Sequence, residues 1–247
     1  MHRFFVPPDI LKTYPVLFPP ETAHQISAVL RLERGQDVIL LDNTGVEFQV
    51  ELMEVGNKVV LGRIVETRSS IAEPAVQVVL YLSLTQREKF EWALQKCTEV
   101  GVTGFLPVIT RRSLVQTMVE ARNKYERWGK ILQEAAEQSG RGLVPTLYEP
   151  LRFGQALAHA RQNAEVTLIP WENEHNATLH SALFQAGDAP HVAVFIGPEG
   201  GFSAEEVTLA CQTGALPVTL GRRILRMETA AVVSAALVLD FFENQLK

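Results

Sequence analysis

Cysteine is scarce in this chain, with two residues, Cys97 and Cys211, far apart. That excludes a disulfide framework and a CxxC redox or zinc site, since no metal-ligand spacing can be assembled from them. Both fall in helix-like apolar patterns and are expected as buried, reduced thiols. Cationic excess is also missing, because the formal net charge is −5. The chain as a whole therefore does not advertise a polyanion binder, and any contact with nucleic acid must come from local clusters. No apolar run is long enough to cross a bilayer: the longest, Ala230 to Phe242, is short and interrupted by Asp240. The start, MHRFFVPPDI, lacks the apolar core and small-residue cleavage site of a secretory signal, so a cytoplasmic location is expected. The six histidines are scattered and no Ser/His/Asp or Cys/His set is legible, which leaves no hydrolytic triad and no metal site in view.

At 47% hydrophobic and 21% charged, the composition is that of a globular protein with ample core, and 247 residues suggest two domains. The first 70 residues read as strands interrupted by one short helix. In EFQVEL, Phe48, Val50 and Leu52 alternate with Glu47, Gln49 and Glu51, the period of two that marks a half-buried strand. The segment TRSSIAEPA is small, polar and proline-containing, so residues 71–76 are read as a linker. From 77 to 247 six strand-like runs alternate with amphipathic helices, which predicts an α/β domain with a largely parallel sheet. Thr85 with Glu88 and Ser203 with Glu206 have the spacing of helix-capping boxes, while Gly101, Gly140 and Gly214 fall where helices should end. The last helix is apolar nearly all round and calls for cover on several sides, a second subunit among them.

In an open α/β sheet, ligands bind beyond the carboxyl ends of the strands, which directs attention to the loops after HVAVFI and LPVTL. The first is GPEGGFS, residues 197–203. It matches neither the dinucleotide glycine fingerprint nor the P-loop, and Glu199 within it is ill suited to a phosphate. Gly197, Gly200 and Gly201 would let main chain approach a ligand, with Glu199 as an acceptor for amine, hydroxyl or cationic groups. A plain strand-to-helix turn capped by Ser203 fits the same residues. The second loop, LGRRILRMETAA, sets Ile224 and Leu225 among arginines just before the apolar helix. Apolar side chains beside free backbone groups suit a flat purine ring, and Arg226 can face an anion or pair with Glu228. Basic residues also gather between 111 and 141, seven (Arg111, Arg112, Arg122, Lys124, Arg127, Lys130, Arg141) against four acids. Such a run is as readily a solvated helix face as a phosphate contact.

On these stretches, together with HRFFV, HQISAVLRLERGQDVILLD, EWALQKCTEVGV and EAAEQSGR in the same order over nearly the whole chain, the sequence resembles the ribosomal RNA small-subunit methyltransferase E family, the uracil-N3 methyltransferases of the SPOUT superfamily. The resemblance implies a PUA-like RNA-binding β-barrel over residues 1–70 and a SPOUT methyltransferase domain over 77–247 that ends in a trefoil knot. It also implies a homodimer, S-adenosylmethionine as the methyl donor, and a uridine of 16S ribosomal RNA as the acceptor. Carried over by position, Gly197, Pro198, Glu199, Gly200, Gly201, Leu220, Gly221, Ile224, Leu225 and Arg226 line the donor pocket, with Gly221, Ile224 and Leu225 at its adenosine end. Arg226 and Arg3 are the candidates for stabilising the deprotonated base, and Glu228 for taking its proton. Arg3, Arg31, Arg34, Arg111, Arg112 and Arg141 are the candidate RNA contacts. The chain departs from the family pattern at Arg222, where proline is frequent, and in LTQREKFEW, where Glu88 and Lys89 partly replace a Lys-Gly-Asp-Arg-like run. Two other readings remain open: a SPOUT enzyme acting on a ribose 2′-hydroxyl, and a non-catalytic RNA-binding assembly factor.

Overall fold

The computed structural model describes residues 1–56, 59–187 and 189–245, and they divide into two compact units. The first comprises Met1–Glu73 together with Ala136–Val144. Its sheet contains β1 (Arg3–Phe5), β2 (Val16–Leu17), β3 (Asp37–Leu41), β4 (Val46–Val55) and β5 (Val60–Ser69), and a short helix α1 (Pro20–His24) lies between β2 and β3. The strand order is β1-β3-β4-β5-β2, parallel only between β1 and β3. The sheet is an open path, since no pairing joins β1 to β2 among the described residues. The period-two pattern of β4 is realised: Val50 and Leu52 are fully buried and join Phe4, Val16, Phe18, Ile26, Val38 and Leu40 in the core of this unit.

Glu47 lies on the opposite face of β4 and is nonetheless only 4% exposed. Arg3 reaches it with Nη1 to Oε1 at 2.7 Å and Arg68 with Nε to Oε2 at 3.1 Å. Burial on its own raises the Glu47 carboxyl, but the hydrogen bonds and charges of Arg3 and Arg68 outweigh it and hold the group below the usual carboxylate range. A carboxylate lowered in the folded state contributes stability that is complete above its unfolded value and is lost as pH falls through the folded one. The stability gap between wild type and Glu47→Gln should therefore be about 3 kcal/mol near neutrality, the cost of breaking a largely buried pair. It should narrow below about pH 4.5, the ordinary glutamate value. Urea unfolding at a series of pH values measures this, and a gap independent of pH would remove Glu47 from the account.

The segment 136–144 joins this unit through specific ties. Glu73 accepts from Arg141 Nη2 at 2.7 Å, from Gly142 N at 2.9 Å and from Leu143 N at 3.1 Å, and Asn43 Oδ1 accepts from Val144 N at 2.7 Å.

The second unit, Pro74–Ala135 with the chain from Pro145 onward, is an α/β layer structure. Its strands are β6 (Gln77–Ser83), β7 (Gly104–Ile109), β8 (Thr146–Leu147), β9 (Leu151–Arg152), β10 (Val166–Pro170), β11 (His191–Ile196) and β12 (Leu216–Val218). Their order is β12-β10-β11-β6-β7-β8, with β9 also on β7, and every pairing is parallel. β7 is buried at every position and β11 at all but His191, the continuous apolar pattern of strands covered on both faces. The helices that follow are α2 (Arg87–Val100), α3 (Met118–Arg122), α4 (Tyr125–Ser139), whose residues from Ala136 on belong to the first unit, α5 (Phe153–Asn163), α6 (Leu179–Ala186), α7 (Ala204–Gln212) and α8 (Met227–Gln245). No helix among the described residues is long and apolar enough to cross a membrane.

Local signals account for most of these boundaries. Ser203 and Glu206 form the expected reciprocal cap at the start of α7, with Ser203 N donating to Glu206 Oε2 at 2.9 Å. Gly101, Gly140 and Gly214 all take positive φ at helix ends. Thr85 and Glu88 do not form their expected box: α2 starts one residue later, with Gln86 in the cap position, so the spacing misses by one. Cys97 is buried as expected, and burial pushes its thiol up. Cys211 is exposed instead, because α7 turns only Val207 and Ala210 inward and leaves position 211 on its outer side. α8 packs on α2, α6, β6 and β11 and buries Ala231, Ala235, Val238 and Leu239, while Leu237 remains 46% exposed.

Candidate functional site

β10 lies between β12 and β11, so the carboxyl ends of three neighbouring parallel strands open on one edge. The segments that follow them, after Pro170, after Ile196 and after Val218, enclose a cleft of about 670 Å³. All ten residues expected to hold the donor line it: Gly197 to Gly201, Leu220, Gly221, Ile224, Leu225 and Arg226. The sheet therefore places side by side two stretches that residues 202–219 separate in sequence.

Side chains on these glycines would meet close neighbours, and Gly201 also takes a backbone conformation that favours glycine. A Cβ at Gly197 would come within 3.2 Å of the buried Phe202 ring. At Gly200 it would meet Arg112 Cδ at 3.2 Å, and at Gly201, whose φ is +68°, it would lie 2.6 Å from Glu172 Oε1. The loop thus runs bare main chain along the cleft, closed by a turn in which Gly201 N donates to Pro198 O at 2.8 Å. A second segment clamps it from outside. Arg112 donates to Gly200 O, Arg111 N donates to Glu206 Oε1 at 2.8 Å, and the Arg111 guanidinium meets Glu205 at 3.3 Å. That arginine turn is itself braced by Thr110 N on Ser113 Oγ at 3.0 Å. The Glu205 carboxyl is lowered by hydrogen bonds from the Ser203 hydroxyl and its own backbone N–H, with the charges of Arg111 and Arg112 adding.

Glu199 is bound by Lys89 Nζ at 3.2 Å, and both residues line the cleft. The segment after β10 contributes Trp171, Glu172 and His175. It is tied down by Trp171 N on Val218 O at 3.0 Å and Thr219 N on Ala177 O at 2.7 Å. Within it the Glu174 carboxyl is lowered by the backbone N–H groups of Ala177 and Asn176. Lys89, Trp171, Glu172 and His175 were not anticipated from the sequence. The rule that ligands gather at strand carboxyl ends applies equally to EVTLIPW, so Trp171 was within its reach; Lys89 arrives from another helix and had no such signal.

Arg226 and Glu228 both line the cleft. The Arg226 carbonyl accepts from Ala230 N at 2.8 Å as α8 begins, and Glu228 sits in the first turn, where a helix favours negative charge. The anticipated Arg–Glu pair is not formed: among the described residues Arg222, Arg223 and Arg226 are exposed without an ion pair, and Glu228 Oε2 is buried with no hydrogen-bond partner. Arg3 is placed elsewhere, on Glu47 in the first unit. Of the other arginines considered for RNA, Arg31 and Arg34 are exposed on the first unit and Arg111 and Arg112 on the second. Arg141 is 2% exposed and bound to Glu73, so its guanidinium orders the turn at 142–143 and has no surface to offer a phosphate. No group of three or more His, Cys, Asp or Glu among the described residues could hold a metal ion.

The part of the chain that carries this cleft falls in a defined class of proteins: the family model described as an RNA methyltransferase domain matches residues 72–239. The resemblance extends beyond that domain. Ribosomal RNA small subunit methyltransferase E of Synechocystis sp. is 32% identical over 243 residues, covering 98% of this chain and 78% of the relative. The protein of the same name from Bacillus subtilis is 31% identical over 223 residues, with 88% and 87% covered. The crystal structure of ribosomal RNA small subunit methyltransferase E from Neisseria gonorrhoeae bound to S-adenosyl methionine matches with a TM-score of 0.86 at 28% identity over 96% of each chain. The chain belongs to the ribosomal RNA small subunit methyltransferase E family.

Proposed function

We propose that the protein methylates N3 of a uridine in small-subunit ribosomal RNA, with S-adenosylmethionine as donor. The observation that carries this reading is the convergence of Gly197–Gly201 and Leu220–Arg226 on one cleft, in a chain whose relative is bound to that donor. The residues present fit the donor: the bare main chain of the glycine loop admits close approach, and the cleft is lined by Ile224 and Leu225 for a flat ring and by Glu172 and Glu199 for cationic groups. Bound there, S-adenosylmethionine supplies an electrophilic methyl group.

This chain's part is positioning, charge and a proton. The two loops align donor and acceptor for an in-line displacement, which converts a bimolecular encounter into a local one. The uridine must give up its N3 proton, and Glu228 Oε2, unpartnered beside the cleft, is the group to take it. The resulting anion spreads over O2 and O4, where the unpaired Arg226 stabilises it. Arg3, the other candidate for this role, is held by Glu47.

The same reading assigns the first unit to a PUA-like RNA-binding module over residues 1–70 and the second to a knotted SPOUT domain over 77–247. The all-parallel strand order and the agreement with the relative's fold support it. A homodimer is part of the reading, supported by exposed Leu237 on α8 and by Phe184, 72% exposed, on the adjoining α6. A cytoplasmic location follows from the substrate. Incubation with labelled donor and unmodified small ribosomal subunits, followed by digestion to nucleosides, should place the label in 3-methyluridine. Label in a 2′-O-methyl nucleoside would transfer the activity to the ribose, and absence of label together with absence of donor binding would leave an assembly factor.

Phosphate contacts by Arg31, Arg34, Arg111 and Arg112 make RNA affinity fall with salt. Four contacts at about −0.7 each give a log–log slope of about −3, a loss of roughly fifty-fold between 50 and 200 mM salt. Fluorescence anisotropy over that range checks it, and a flat response would contradict it.

A further inference from the structure

Four buried side-chain polar atoms among the described residues lack a hydrogen-bond partner: Ser83 Oγ, Ser234 Oγ, Trp171 Nε1 and Glu228 Oε2. Only Trp171 and Glu228 belong to the lining of the cleft. A buried polar group left unpaired costs about 1–3 kcal/mol, so each one calls for an explanation, and in a cleft a ligand that completes it is the direct one. The two do not satisfy each other, although one is a donor and the other an acceptor. The Trp171 ring is held in place, packed against the core that contains Tyr81, Phe195 and Phe202, with its backbone N–H on Val218 O at 3.0 Å. It is a rigid donor in search of an acceptor.

Arg226, exposed and unpaired in the same lining, adds a second donor. The lining of the cleft therefore offers two donors and one acceptor on three side chains. A ligand edge with two acceptors and one donor complements that set, and uracil has one in O4, N3–H and O2. Cytosine presents a lone pair at N3, where Glu228 would repel it, and an amino group where a donor already stands. Resting on the function proposed above, we propose that Trp171 is a specificity-determining residue: its indole N–H donates to one carbonyl oxygen of the target base, beside Glu228 at N3–H and Arg226 at the other carbonyl. Both unpartnered atoms are buried, which keeps solvent from competing for them.

The test pairs one protein change with one substrate change. Trp171→Phe keeps an aromatic ring and deletes the N–H. Small-subunit RNA carrying 2-thiouridine or 4-thiouridine at the target replaces one carbonyl at a time by a poor acceptor. For wild type, each of the two thio substitutions should lower kcat/KM and RNA affinity by about ten-fold, the worth of one hydrogen bond. For Trp171→Phe with natural RNA the loss should be similar, with the calorimetric Kd for S-adenosylmethionine unchanged within two-fold, and one of the two thio substitutions should cost nothing further while the other keeps its full effect. That lack of additivity is a signature a merely structural tryptophan would not produce. Both effects intact in the variant would overturn the proposal. If neither thio base costs wild type anything, the proposal is overturned without recourse to the variant, whether or not the variant folds. A ten-fold weaker donor Kd in Trp171→Phe with the thio effects intact overturns it as well, by placing the indole in the donor pocket. In both cases wild type would still bind donor and methylate RNA, whereas failure of the parent reading would appear as no donor binding at all.

Discussion

Arg226→Ala is expected to lower turnover by about 10²- to 10³-fold, the range found when one preorganised donor to a developing anion is removed. The reason lies in the surroundings of this guanidinium. Arg226 lines the cleft, is exposed, and has no carboxylate partner, so its charge is available to the bound base and not already neutralised. It also immediately precedes α8, where only its carbonyl serves the helix, so alanine should leave the fold intact. Donor affinity should fall only in part, since Arg226 also lines the donor pocket, whereas its interaction with a uracil anion exists only once N3 has lost its proton. Arg226→Lys should restore part of the rate, since a point charge replaces a fork that can engage one oxygen with two N–H groups. Single-turnover rates with saturating donor, beside calorimetric donor affinity, measure the two effects separately. Near-normal rates would take Arg226 out of the mechanism.

Gly201→Val should act on the other side of the reaction, weakening donor binding by about 10²-fold with a loss of roughly 2 kcal/mol in stability, as strain at a positive φ implies. Two features of the site set this expectation. The φ of +68° is a region that a β-branched residue cannot occupy without strain, and a Cβ there would sit 2.6 Å from Glu172 Oε1. Glu172 is exposed and its carboxylate can move aside, so the conformational term is the larger one. The loop would respond by reshaping between Pro198 and Phe202, against the clamp that Arg112 places on Gly200 O. Binding calorimetry and thermal unfolding together distinguish a remodelled loop from a collapsed domain; unchanged donor affinity would show that this stretch of main chain does not touch the donor.

The legible parts of this protein were those whose causes are local. Ser203 and Glu206 cap α7 because three residues separate them, and Gly101, Gly140 and Gly214 end helices because only glycine enters positive φ without cost. The unbroken apolar runs of β7 and β11 announce strands covered on both faces. Errors arose where a local signal was satisfied in two ways. Thr85 lost its cap role to a helix start shifted by a single residue, and Cys211 lay in an apolar pattern whose inward face fell on its neighbours.

Sequence by itself determined the two classes of element, the glycine loop and the arginine loop, because capping, turn conformation and hydrophobic period depend on residues within a few positions of one another. Tertiary structure alone decided which of the charges are free. Arg141 and Arg226 read alike in the chain, yet one is buried against Glu73 and the other stands unpaired at the cleft. Lys89 and Trp171 come to the same cleft from α2 and from the end of β10 only because the parallel sheet gathers the carboxyl ends of β10, β11 and β12 on one edge. The physical reason is range: pairing of charge and satisfaction of a buried N–H are settled by whatever group the fold brings within about 3 Å, and that group is usually distant in sequence.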